Sequence, residues 1–183
     1  MRGYAVQHIA MWIEKGKLDS GDRERLLGAV RTAAAEVDKP SVGGAGLIAF
    51  RAVGDGGEAG ALAMKALCSK NACAESRISA FQVCAELGVS AALEPARAAV
   101  ADASAPTILR MSAIAALARL GGADDERLLR SLIASGQKEN GSGDLFGKNT
   151  ERHLLAFKID NDQDELVRNA ARFALASRTS EGK

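Results

Sequence analysis

Aromatic side chains are scarce in this sequence. Phe, Trp and Tyr together make up 4% of its 183 residues, with a single Trp and a single Tyr. A strand-rich core, which draws on aromatic and β-branched side chains, is not expected from such a mixture, and few rings are available to stack on nucleobases. Charge of one sign is missing too. The 24 Lys and Arg balance 23 Asp and Glu to a net +1, so no overall field draws in nucleic acid or an anionic membrane surface, and a charge-driven partner must meet a local patch. No stretch approaches the roughly 18 consecutive apolar residues of a membrane span. The opening "MRGYAVQHIAMWIEKG" lacks the long apolar centre and small-residue cleavage site of a secretory signal. A cytoplasmic location is the default expectation, with the mature form of an exported protein as the alternative.

What the chain has in abundance is alanine, at 36 positions. Alanine favours helix and close helix packing, and this length suits one domain with a substantial core, so a single all-α domain is expected. The apolar pattern then repeats. The phrase "RISAFQVCAELG" over Arg77–Gly88 returns 33 residues later as "RMSAIAALARLG" over Arg110–Gly121, with Arg, Ser, Ala, Ala, Leu and Gly in register. A second helical pattern follows each copy. Counting from Gly88, the small or apolar positions are Pro95, Ala96, Ala99 and Val100; the same offsets from Gly121 give Leu128, Leu129, Leu132 and Ile133. That spacing makes one buried helical face. The unit reads as helix, glycine turn, helix, the glycine permitting the left-handed conformation that commonly ends a helix.

Upstream, "GLIAFRAVGDGGEAGALAMKALCSK" fits the unit weakly, with its turn at Val53-Gly54; downstream, "DNDQDELVRNAARFALAS" aligns Arg168 with Arg77 and Arg110. These phrases, with "TILRMSAIAALARLGGADDERLLRSLIAS" and "SRISAFQVCAELGVSAALEPARAAV", resemble the short bacterial HEAT-like repeat named after the phycobilisome lyases. The resemblance covers residues 75–134 and 160–178, and 45–74 more loosely. It implies an α-solenoid of about four to five helix pairs: an N-terminal pair over 1–40, repeats over 45–74, 75–104 and 108–136, and a divergent C-terminal repeat and cap over 137–183. Within the last, "NTERHLLAFKI" reads as a separate helix and "SGQKENGSGDLFGKN" as a loop. The resemblance also assigns Asn71 with Arg77, Asp102 with Arg110 and Asp162 with Arg168 to a ladder of hydrogen bonds between units.

Such a repeat is specific for fold and unspecific for function, because its matching positions pack one unit on the next. The expected function is a non-catalytic protein–protein interaction scaffold. It would hold a protein or peptide, an acidic one by charge, on the concave face, which the resemblance gives to the second helix of each pair. There Lys65, Arg97 and Arg130 fall at near-equivalent places after Gly54, Gly88 and Gly121 and are the candidate partner-binding residues; pairing of these cations with Glu94, Asp125 or Glu126 is the alternative. No catalytic or metal constellation is found. Deoxyhypusine hydroxylase, a HEAT-like enzyme, binds iron through His-Glu pairs, whereas here His8 precedes Ile9 and His153 precedes Leu154, and neither stands near a cysteine. No cofactor is expected. The alternative functions are a lyase-like enzyme subunit acting on a tetrapyrrole-protein adduct, and a nucleic-acid-binding HEAT-like protein.

Four further residues or groups carry expectations. Cys68 and Cys73 flank "SKNA" at a helix–helix turn and are candidates for a disulfide, which would imply a periplasmic or other oxidising compartment; two free thiols are the alternative. Cys84, standing where the second copy has Leu117, is read as a core residue. Trp12 is read as facing the core, with presentation to a partner at the solenoid end as the alternative. The acidic run Asp160, Asp162, Asp164 and Glu165 lacks the glycine and distant glutamate of a calcium loop and reads as the opening of a helix.

Overall fold

The computed structural model describes residues 2–16, 18–135 and 151–181, with side chains described throughout except at 2, 135, 151–162 and 179–181. Among the described residues every regular element is helical: α1 (Arg2–Lys15), α2 (Ser20–Ala35), α3 (Gly43–Val53), α4 (Gly56–Cys68), α5 (Ala74–Leu87), α6 (Leu93–Ala101), α7 (Thr107–Leu120), α8 (Ala123–Ser135) and α9 (Glu151–Glu181), with a 3-10 turn at Ser90–Ala92. Local chemistry fixes several ends. Asp19 and Asp55 open α2 and α4, each carboxylate accepting the backbone N–H three residues on, from Asp22 and Glu58, at 2.8 Å. Gly88 closes α5 in the left-handed conformation (φ 72°), and the next N–H, of Val89, returns to the Cys84 carbonyl at 2.9 Å.

Gly121, at the matching place after α7, does not take that conformation (φ −79°). Its role is space. A Cβ there would fall 2.6 Å from both Cβ and Oδ2 of Asp125, so the absent side chain lets a carboxylate sit against the turn. A second difference lies at the C-terminus, where two helices were expected. With neither Gly nor Pro between Glu151 and Glu181, α9 runs unbroken for 31 residues. The acidic run lies inside this helix rather than at its start. The loop expected between α8 and α9 falls, from residue 136 to 149, outside the described residues.

The helices pack in alternation. α1 lies on α3, α3 on α5, α5 on α7 and α7 on α9, so the odd-numbered helices form one contiguous row; α2, α4 and α8 each rest against two members of that row, and α6 mainly against α7. Small residues make the row possible. Ala80, Ala113 and Ala171, which occupy the same place in the three repeated phrases, are all fully buried. The apolar core runs along the row in two clusters that meet at α5. Leu47 and Phe50 pack with Ala80, Val83 and Cys84 on one side, and Phe81 packs with Ile114, Leu117, Leu129 and Val167 on the other. Burial first, and the neighbouring Cys68 second, push the Cys84 thiol up to about 11.

Two expectations are corrected here. Trp12 is 61% exposed. The buried stripe of α1 is Val6, Ala10 and Ile13, spaced four and three residues apart, and one step of about 100° from Ile13 turns Trp12 off that face. Cys68 and Cys73 are not bridged: all three cysteines are free. Cys68 is exposed at the end of α4, while the Cys73 thiol lies 3.2 Å from the hydroxyl of buried Ser76 and its backbone N–H donates to the Val37 carbonyl at 3.0 Å. The two sulfurs therefore serve opposite surroundings.

Neither Asn71 with Arg77 nor Asp102 with Arg110 forms the hydrogen bond expected of the ladder, although one arginine does reach the next helix of the row. Arg110 of α7 donates to Asp164 of α9 at 3.1 Å. Arg77 instead donates to the Ser69 carbonyl at 2.9 Å, and Arg168 binds Glu165 on its own helix at 3.0 Å. Asp102 accepts from the Ser104 hydroxyl at 2.6 Å, the main reason its carboxyl lies below the ordinary range, with Arg110 adding a smaller pull. The side chain of Asp162 is outside the described set.

Glycine spacing gives a paired stability test. A Cβ on Gly46 would lie 2.4 Å from the backbone nitrogen of Ala34, whereas one on Gly28 would meet nothing within 4 Å. Gly46→Ala should lower the urea-unfolding free energy by about 1–3 kcal/mol through overpacking of α2 on α3. Gly28→Ala, inside α2, should raise it by roughly 0.5–1 kcal/mol. Equal shifts from the two changes would contradict the close approach.

Candidate functional site

The three cations expected to form a stripe lie on α4, α6 and α8, helices that pack mainly on the odd-numbered row rather than on each other. Of the three side chains, that of Lys65 alone has no hydrogen-bond or ion-pair partner among the described residues. Arg97 holds Asp125 with both arms of its guanidinium, Nε to Oδ1 at 2.6 Å and Nη2 to Oδ2 at 3.0 Å, and also pairs with Glu94. Arg130 pairs with Glu126 one turn away on α8. The pairing alternative thus describes Arg97 and Arg130.

Asp125 is the more informative residue. It is 2% exposed, and besides Arg97 it accepts the backbone N–H of Gly122 at 3.1 Å, the carboxylate half of a capping box at the start of α8. The hydrogen bonds from Arg97 are the first cause of a carboxyl held below its usual range; burial opposes, and Gly122 and the more distant charge of Arg178 assist. Arg178, on α9, donates Nη2 to the Gly121 carbonyl at 2.8 Å. The α7–α8 turn is therefore gripped from α6 on one side and from α9 on the other.

A sizeable cavity lies elsewhere, along the odd-numbered row. A groove of about 730 Å³ runs over α5, α7 and α9. Its shape follows from side-chain size. The middle helix presents Ser112, Ala115 and Ala118, while α5 contributes Ile78 and Gln82 on one flank and α9 contributes Leu166 and Phe173 on the other. Phe81 and Ile114, both buried, form the floor. Leu166 is 51% and Phe173 78% exposed, and large apolar side chains left in water beside a concavity mark a contact surface more often than isolated ones do. Met111 lines the groove as well, and at the other end of α7 stands Arg119.

Sequence reasoning passed over this groove, yet a signal was present. Five residues after Arg77, Arg110 and Arg168 stand Gln82, Ala115 and Phe173. Phe173 is thus an aromatic at a position that is polar or small in the two better copies. The row as a whole also carries Tyr4 and Met11 of α1, 70% and 41% exposed, with the Tyr4 ring 4.3 Å from that of His8. The side chain of His153 is not among those described. No group of three or more His, Cys, Asp or Glu among the described residues is placed to hold a metal ion, and no helix among them is long and apolar enough to cross a membrane. No family model, curated protein or solved structure matches the chain.

The Asp125 node yields a pH test. Its folded pKa lies below the unfolded value of about 3.9, so its contribution is complete above that value and is lost as pH falls through the folded pKa. Asp125→Asn should destabilise the protein by roughly 1.5–3 kcal/mol at pH 7, with the gap to the native chain closing as pH drops below about 4. A gap that stays constant down to pH 2 would show that the charge of Asp125 contributes nothing.

Proposed function

We propose that the chain is a non-catalytic interaction module, a HEAT-like α-solenoid of four to five helix pairs that holds a protein or peptide partner. The repeated phrases support the solenoid. So does the alternating packing, since helices that touch along one row and stand apart along the other make a stack that curves toward the touching row. On this reading α1, α3, α5, α7 and α9 line the inner face. The second helices form the outer one, the reverse of the arrangement expected from the resemblance.

One observation carries the reading: the groove over α5, α7 and α9 is flanked by Leu166 and Phe173, both of which keep most of their apolar surface in water. Covering such side chains is worth about 25 cal/mol per Å² of apolar area. A partner that buries them gains specificity from the Ser112 and Ala115 depression beside them. The basic residues Lys65 and Arg130 remain outside this face, and Arg97 serves the α6–α8 contact.

Affinity capture from the source cell's extract tests this by comparing three chains. A protein held by the native chain should also be held by the Lys65→Glu/Arg130→Glu chain and be lost, at least tenfold, by Phe173→Asp. Loss on the Lys65/Arg130 change with retention on Phe173→Asp would return the site to the basic stripe. Arg97 is left intact in every arm because its substitution breaks the Asp125 node.

A further inference from the structure

The groove has an apolar body and a charged end. Arg119 stands one residue before the end of α7 and is exposed, with no hydrogen-bond or ion-pair partner among the described residues. Arg178 reaches the same end from α9, its Nη2 on the Gly121 carbonyl just beyond α7, and its Nη1 is buried with no hydrogen-bond partner. The acids nearby are already committed. Glu86, the one carboxylate on the groove lining, binds Arg51 at 2.7 Å, and Asp125 is taken by both arms of Arg97. One end of the groove therefore offers the exposed guanidinium of Arg119, unpaired among the described residues, beside the positive charge of Arg178.

Resting on the reading of the groove as the docking face, we infer that its partner is an amphipathic helix whose apolar stripe covers Leu166, Phe173 and the α7 depression and whose end carries a carboxylate that meets Arg119, in the positive field of Arg178. Three physical points select this occupant. The groove is walled by helices whose backbone groups are paired internally, so an extended peptide laid on its apolar lining would bury N–H and C=O groups without partners. A helix satisfies its own backbone and presents side chains at i, i+4 and i+7 to a groove. Along α9 the lining runs from Leu166 to Arg178, twelve steps of 1.5 Å or about 18 Å, which matches roughly three turns of a partner helix. The Arg119 guanidinium favours carboxylates over amides because charge-assisted hydrogen bonds are about twice as strong as neutral ones.

The test uses the full chain as bait for a displayed library of 14-residue amphipathic helices with a fixed leucine stripe and with end positions randomised among Asp, Glu, Gln, Lys and Ala. Enrichment of Asp or Glu at one end, with at least tenfold weaker binding of the winning peptide to Arg119→Glu and to Ala115→Trp, is the expected result. Both positions are exposed, and circular dichroism of each variant checks that the helices persist. Winners without acidic preference that still fail on Ala115→Trp overturn the carboxylate inference and leave the groove reading standing. Winners that bind Ala115→Trp as well as the native chain overturn the groove reading itself. An absence of any enriched helix, with dodecanoate instead protecting Phe173 in solution, replaces the helix by a small amphiphile.

Discussion

No helix pair in this chain can bury its apolar face alone, and the packing that relieves this depends on small side chains where the odd-numbered helices touch. Ala80, Ala113 and Ala171 stand at the same phase of α5, α7 and α9 and are fully buried. Gly44 does the same for α3, where a Cβ would lie 3.0 Å from the Glu75 carbonyl oxygen of α5. Larger residues at these places would push the row apart and open the two clusters that meet at α5. The scarcity of aromatics and the wealth of alanine are the compositional side of that constraint.

Close packing leaves directional bonds to set register, and the buried carboxylate of Asp125 sets it at the α7–α8 turn. Arg97 reaches it from α6, the turn's own Gly122 N–H caps it, and Gly121 gives it room by lacking a side chain. Arg178 adds a bond from α9 to the same turn. The last of these residues works on two sides. One arm of Arg178 holds the turn while the residue also lines the end of the groove, so the node that aligns the last helices adds positive charge there.

The helical character was legible because it rests on features that recur: the apolar spacing, the phrase from Arg77 to Gly88 and its copy, and the abundance of alanine. The sites were less legible, for reasons tied to particular residues. Spacing sets Arg97 and Arg130 nine places after Gly88 and Gly121, but it cannot tell that Asp125, four places after Gly121, would be 2% exposed and take up Arg97. α1 is apolar on several sides, so the burial of Val6, Ala10 and Ile13 rather than Trp12 followed from packing against α2 and α3 and not from the pattern. The groove escaped because repeats are found through positions that agree, while a contact surface is made of positions that differ. Gln82, Ala115 and Phe173 share one place in the phrase and nothing else.

The central claim is that the row of α5, α7 and α9, and not the outer helices, meets the partner. Photo-crosslinking in the source cell tests it most directly, with benzoylphenylalanine placed at position 173 in one chain and at position 65 in another. The account predicts a discrete protein adduct from position 173 and none from position 65. An adduct from position 65 with silence at 173 would contradict it.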